Sequence, residues 1–336
     1  MTATVFVTGA TGTIGRFLVA RLTARGHRVV ALVRRADARR AELLAWIASH
    51  DGDPSRVALV DGDLRMPSIV TDRSALADVE LVYHAGAAVT WGLARDVARA
   101  TNLEGTDRVL ELARTLPKLR RFVLVSGYGV GLVPDGVPVP GGLYEITKVE
   151  ADRRARAFSR AHGMPLTRVH PGAVIGDSRT GEMLSTFGFG DVALAVMRGK
   201  LPAIPGGARH WMPLVTVDYV ADFLARVPFA DRDAAEYYLL DDASPGLATL
   251  VHDIARDAGV RVPSRRVPMT IARLLAHATR DASQIEGLHF VTELRFDTRA
   301  ADAAAAAHDL HKPDIRQAIA RSVAWLRTSQ LGARTS

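Results

Sequence analysis

The sequence predicts an α/β protein, a doubly wound parallel sheet with a smaller, mostly helical C-terminal lobe. Three observations lead there. Short β-rich apolar runs alternate with amphipathic stretches through the first 170 residues, the pattern of strands joined by crossover helices. A glycine-rich turn joins the first run to the first amphipathic stretch. After Pro171 the alternation loosens into turns rich in glycine and proline, and from about Thr249 to Leu331 the chain is mostly helical in pattern. The expected organisation is a sheet domain over 1–170 and a C-terminal lobe over 171–331, with some strands of the lobe returning to the sheet.

In order, the apolar runs at 5–7, 28–33, 57–60, 81–84, 122–125 and 166–170 read as strands. Helical periodicity falls at 14–25, 39–50, 97–114 and 144–162, where apolar residues recur every three to four positions. In the lobe, an alanine-rich stretch at 299–308 and a segment at 315–326 opened by Pro313 read as helices. No repeat of fixed period interrupts this order.

Composition removes several function classes. The 336 residues contain no cysteine, which excludes disulfide frameworks, thiolate metal sites and cysteine nucleophiles and points to a reducing compartment. No uncharged apolar run approaches the roughly 18 residues of a membrane span, and no leader-like segment opens the sequence. The chain is expected to be cytoplasmic, with no membrane partner. Formal charge is +7, but the arginines are dispersed among acidic residues, without the interleaved aromatics of a stacking platform. Nucleic acid is therefore not expected as a partner. His308 and His311 lack accompanying carboxylates at metal-ligand spacing, so no metal is expected. Ser126 is outside any G-x-S-x-G elbow, and Lys200 after Gly199 is followed by leucine, so hydrolase and P-loop readings fail.

The chemistry-bearing motifs begin with Val5-Phe-Val-Thr-Gly9-Ala-Thr-Gly12-Thr-Ile-Gly15-Arg16. A strand running through a tight glycine turn into a helix lets backbone approach a pyrophosphate, whose charge the helix N-terminus stabilises. Gly9, Thr11, Gly12, Thr13, Ile14 and Gly15 are thus dinucleotide-binding candidates, and the fold expected is of Rossmann type. The second strand ends in Arg34-Arg35, where folds of this type that bind NAD place an acid for the ribose hydroxyl. Arginine favours a 2′-phosphate and hence NADP(H). Asp63, after the third strand, either holds the adenine amino group or caps a turn. Tyr144-Glu-Ile-Thr-Lys148 puts a phenol and an ammonium on one helical face. A nearby lysine charge and nicotinamide charge are expected to lower the phenol's pKa and make it a usable acid and base.

These blocks, in this order, resemble the extended short-chain dehydrogenase/reductases. The resemblance extends through Asp63-Leu64, His84-Ala-Gly-Ala-Ala88, Asn102-Leu-Glu-Gly-Thr106 and Phe122-Val-Leu-Val-Ser126. It continues through His170-Pro-Gly-Ala-Val-Ile-Gly176 and Val217-Asp-Tyr-Val-Ala221. Arg56-Val, Gly62-Asp-Leu and the segment from His84 to Trp91 look like the branch that includes carrier-thioester and aldehyde reductases. The resemblance implies that Tyr144 protonates the substrate oxygen, that Lys148 binds the nicotinamide ribose and that Asn102 orders a water relay. It also implies that Leu64, Ala85, Pro171 and Val174 lie beside the cofactor. One position departs from the family pattern: Ser126 is followed by Gly127 where a second hydroxyl is usual. Ser126, Tyr128 or a water then takes that role, or carbonyl chemistry is impaired.

The expected reaction is reversible NADPH-dependent reduction of an aldehyde or ketone, hydrophobic or acyl-derived, by a chain that could also be a homodimer. Trp91, Tyr128, Phe187, Trp211 and Met212 are the expected substrate wall. Alternatives are a nucleotide-sugar epimerase or dehydratase, or a redox sensor that binds NADP without turnover. Nucleotide-sugar members of the family often carry arginine where this chain has Met212, and the nearest arginine is Arg209.

Overall fold

The computed structural model describes residues 2–331 apart from 136, 138, 140–141, 232, 264 and 280–281. The first half runs β1 (Thr4–Thr8), α1 (Thr13–Ala24), β2 (Arg28–Val33), α2 (Ala36–Ser49), β3 (Val57–Asp61) and β4 (Val79–His84). It continues through α3 (Arg95–Ala98), α4 (Glu104–Arg114), β5 (Arg121–Val125), α5 (Leu143–His162) and β6 (Leu166–Pro171). Then come β7 (Ala173–Ile175), α6 (Phe189–Met197), β8 (Ile204–Pro205), β9 (Leu214–Thr216), α7 (Val217–Leu224) and β10 (Ala235–Leu239). The last elements are α8 (Leu247–Ala258), β11 (Arg266–Val267), α9 (Met269–Thr279), α10 (Ala282–Gly287), α11 (Arg299–Ala307) and α12 (Ile315–Leu326).

Seven strands form the central sheet in the order β10-β6-β5-β4-β1-β2-β3, and every pairing is parallel. Along β1, Val5 and Val7 belong to one buried cluster with Leu18, Leu22 and Phe223, while Phe6 joins the other with Val82, Leu110 and Phe122. Alternate side chains thus feed cores on opposite faces. The strand order reverses between β1 and β4, and such a reversal opens a crevice at the carboxyl ends of the strands.

The six expected strands form within one or two residues of their predicted ends. The seventh, β10, comes from the C-terminal part and pairs with β6, Tyr237 beside Val169. It is an edge strand with Glu236 exposed, so its sequence lacks the continuous apolar run that marks the inner strands. The helix expected at 97–114 is interrupted: α3 and α4 are joined by a π-type turn over Arg99–Leu103, a feature often found at functional sites. A third core, with Phe189, Met212, Leu250, Ile254, Ile319 and Val323, fills the C-terminal lobe. There β7 and β9 pair in a separate parallel ribbon. Among the described residues no helix is long and apolar enough to cross a membrane.

Candidate active site in the cleft above the sheet

A cleft of about 550 Å³ runs along the carboxyl ends of the strands, from the glycine turn to the C-terminal lobe. At the first end lie Thr11, Gly12, Thr13, Ile14 and Gly15, with Gly9 beneath them. Gly9 has φ +75°, and a side chain there would strike the backbone of Ala85 and Gly86. Only glycine therefore lets β1 turn this close to the loop after β4. The first turn of α1 has no acidic residue, and Gly12 provides no side-chain cap. Its leading N–H groups lack intrahelical partners, a cradle that suits the pyrophosphate of a dinucleotide.

Further along, exposed Arg34 lines the cleft at the end of β2. Asp61 does not compete for the ligand there, since its carboxylate accepts from the Ala36 N–H at 3.0 Å and so caps the start of α2. Asp63 is gripped by Arg65 through bonds of 2.6 and 3.1 Å, which holds its carboxyl below the usual carboxylate range. Arg65, a second cation facing the cleft, was absent from the sequence-based set. Leu64, Ala85, Pro171 and Val174 all lie on the cleft wall.

At the middle of the cleft stand Ser126, Tyr144 and Lys148. Ser126, at the end of β5, is 8% exposed, and its hydroxyl has no hydrogen-bond partner among the described residues. Tyr144 and Lys148 are presented by the first two turns of α5. Burial, then the neighbouring Glu145 carboxylate, raises the Tyr144 phenol above its ordinary range. In the protein alone burial thus outweighs the lowering expected from sequence, and Lys148 donates to the Val125 carbonyl at 2.9 Å. Burial pulls Lys148 down to about 8. Tyr128 commits its hydroxyl to the Phe290 carbonyl at 2.9 Å, which leaves Ser126 as the free donor. In front of Gly127 a Cβ would meet nothing within 4 Å among the described residues.

Asn102 is buried behind this site. Its side chain accepts from the Ala88 N–H at 2.7 Å and donates to the Ala88 carbonyl and to Thr147 Oγ1 at 3.2 and 3.0 Å. It ties the loop after β4 to α5. A buried chain adjoins it: Thr8 Oγ1 to His84 Nδ1 at 2.7 Å, His84 Nε2 to Thr106 Oγ1 at 2.9 Å, and Thr106 Oγ1 to the Asn102 carbonyl at 2.7 Å. Because Thr106 spends its one proton on the Asn102 carbonyl, it can only accept from the ring, so His84 carries its proton on Nε2 and Nδ1 accepts from the Thr8 hydroxyl. Burial holds that ring neutral, down to about 3.

The far end is aromatic. Phe187 and Tyr128 line it, while Trp91 stands behind Phe187, its ring stacked at 4.1 Å. Trp211 and Met212 do not reach the cleft. Both are fully buried in the C-terminal lobe, where Trp211 donates to the Leu294 carbonyl and lies under the Arg295 guanidinium at 4.0 Å. The bridges of Trp211 to Gly246 and Thr292 turn this stretch into the core. The sequence missed Glu145, Leu184, Ser185, His289 and Phe290, which also line the cleft. Glu145 was legible as the neighbour of Tyr144, but the others carried no local signal.

A family model described as NAD dependent epimerase/dehydratase matches residues 5–236. The 3-diazoavenalumate denitrifying reductase of a Streptomyces species is 33% identical over 295 residues, 81% of this chain and 86% of that one. Tetraketide alpha-pyrone reductase 1 of Arabidopsis thaliana is 27% identical over 306 residues, 84% and 89% of the two chains. Sterol demethylase protein B of Methylococcus capsulatus is 32% identical over 227 residues, 63% of this chain, and the match spans only 62% of that protein. Among solved structures, the terminal R domain from the myxalamid PKS-NRPS biosynthetic pathway superposes with a TM-score of 0.76 at 21% identity, covering 96% of this chain and 90% of that one. A UDP-glucuronic acid 4-epimerase from Bacillus cereus in complex with NAD superposes at 0.69 and 17% identity, with 98% of each chain covered. At such identities the superpositions speak for the fold alone. Fold, cleft and sequence matches agree: the chain belongs to the NAD dependent epimerase/dehydratase family, within the extended short-chain dehydrogenase/reductases.

Proposed function

We propose that the protein reduces an aldehyde or ketone to the alcohol with NADPH, residues 1–170 holding the dinucleotide and 171–331 contributing substrate contacts. The observation that carries this reading is the meeting, in one cleft, of a free Ser126 hydroxyl and the half-buried Tyr144 phenol beside an aromatic wall. When bound, NADPH supplies the hydride. Ser126 holds the substrate oxygen and Tyr144 gives it a proton. Burial keeps the phenol protonated, the form that carbonyl reduction consumes. Lys148, Arg34, Arg65 and the start of α1 would hold the dinucleotide, Arg34 by a charge-assisted bond to its 2′-phosphate. Asn102 fixes the loop after β4 against α5, and thereby the distance between cofactor wall and Tyr144. Relatives named as reductases support the reaction type.

The nucleotide-sugar reading needs cations for a diphosphate. Met212 is buried, and Arg209 is exposed and paired with Glu293 at 3.1 Å. Neither lines the cleft, and its far end carries Glu145 instead. The test is a spectrophotometric panel of medium-sized aldehydes and ketones with NADPH, alongside calorimetry on nucleotide sugars. Carbonyl-dependent NADPH oxidation is expected, with no nucleotide-sugar binding. Micromolar binding and conversion of a nucleotide sugar, with no carbonyl-dependent NADPH oxidation, would overturn the reading.

A further inference from the structure

One charged group at the substrate end is not used by this mechanism. Glu145, at the third position of α5, lines the cleft, and both carboxylate oxygens are buried without a hydrogen-bond partner among the described residues. The helix N-terminus favours negative charge there, and the backbone N–H groups of Glu145 and Gly142 work against the burial of the carboxylate, but neither brings a positive charge. Glu286 is no counter-ion. It is a second carboxylate, bonded by the Gly92 N–H at 3.2 Å and lying against Gly142.

Aromatic rings surround this end. Tyr144 and Phe187 meet edge to face at 5.1 Å, Phe187 and Phe290 at 5.4 Å, and Tyr128 and Phe290 at 6.2 Å. Glu145 lines the same cleft as Tyr128, Tyr144, Phe187 and Phe290, and its charge raises the pKa of both tyrosines. Among the described residues no lysine or arginine is paired with Glu145. Lys148 is tied to Val125, and burial, with the charges of Arg273 and His277, lowers the pKa of His289. Ring faces and an unpaired carboxylate together are the complement of a compact organic cation, which gains from the ring quadrupoles and from the ion pair.

We propose that Glu145 and these rings form a cation site, and that the substrate is an aldehyde or ketone carrying a protonated amine. This rests on the carbonyl-reductase reading above and narrows its substrate class. Burial and the Glu286 charge push the Glu145 carboxyl up to about 7, so near neutrality it stands ready to exchange its proton for a cationic partner. An anionic substrate meets two carboxylates and is rejected.

The test compares para-(dimethylaminomethyl)benzaldehyde with its uncharged isostere para-isobutylbenzaldehyde and with para-formylbenzoate, at saturating NADPH. Just above neutrality, where Glu145 is ionised and the benzylic amine still carries its proton, the amine is expected to exceed the isobutyl compound in kcat/KM by about tenfold, with the carboxylate poorest. The ratio shrinks towards acid pH as Glu145 takes up its proton, and Glu145→Gln, of the same shape without the charge, brings it near one throughout. Equal kcat/KM in the wild type, or an unchanged ratio in Glu145→Gln, overturns the proposal. If none of the aldehydes oxidises NADPH, the reductase reading fails by itself. Calorimetry of benzyldimethylamine on the NADPH-loaded protein then decides the cation site. Binding lost in Glu145→Gln supports it, and absence of binding in the wild type overturns it.

Discussion

At the glycine-turn end, the cleft wall comes from residues 9–15 and from the strand ends carrying Arg34 and Asp63; at the other end it comes from residues as far apart as Ser126, Phe187 and Phe290. The first end is made of backbone and arginine, suited to any dinucleotide with the right phosphates. The second is made of rings, hydroxyls and a carboxylate, and it is where a reductase differs from an epimerase on the same fold. Conserving an architecture and choosing a substrate are thus physically separate tasks here. Side-chain changes at the far end should alter chemistry and selectivity with little effect on dinucleotide binding, and the reverse should hold at the near end.

The largest effect expected is that of Tyr144→Phe, which removes one hydroxyl and little volume. Turnover should fall by about 100- to 10,000-fold, while NADPH affinity measured by fluorescence stays within about threefold. If affinity fell in parallel with turnover, the two ends would not be separable. Next is Ser126→Ala, with a loss on the order of 100-fold in turnover. Gly127 is in extended backbone, and a Cβ there is unobstructed among the described residues. Gly127→Ser in the Ser126→Ala background should therefore recover part of the loss, and no recovery would mean that position 127 does not face the substrate oxygen.

At the near end, Arg34→Ala should weaken NADPH by about 10- to 100-fold, the worth of a charge-assisted bond of about 1.5–3 kcal/mol, and leave NADH unchanged. Equal loss of both cofactors would remove the 2′-phosphate from the account. The smallest effect is on stability. The Glu145 carboxyl titrates near 7 in the folded protein against an ordinary 4.5. A folded value raised above the unfolded one means that wild-type stability is fully present below about 4.5 and is lost as pH rises through about 7. Glu145→Gln lacks this loss, so its advantage in thermal unfolding should grow across that window. A pH-independent difference would show that Glu145 is already paired.

Much of the near end was legible because its contacts follow the chain: strand, glycine turn, helix and strand-end arginine are neighbours in sequence. The same is true of Tyr144 and Lys148, one helical turn apart. Arg65 escaped because nothing about a lone arginine after Asp63 shows that it folds back onto that carboxylate. The far end was misread more seriously. Trp211 and Met212 had the right chemistry for a wall, but antiparallel bridges around Trp211 take them into the lobe's core. His289 and Phe290 come from a short turn after α10, and no periodicity links them to Tyr144. The break between α3 and α4 likewise depends on a long-range contact, Asn102 with Ala88 and Thr147, which a helical pattern does not reveal.

The central claim, that the two ends cooperate in net hydride transfer to a carbonyl, is tested most directly by stoichiometry. NADPH consumed and alcohol formed should be quantified together for a reactive aldehyde, with wild type and Tyr144→Phe at equal cofactor saturation. The account predicts one alcohol per NADPH consumed in the wild type, and both signals suppressed together in the variant. Conversion of a substrate with no net consumption of NADPH would contradict it.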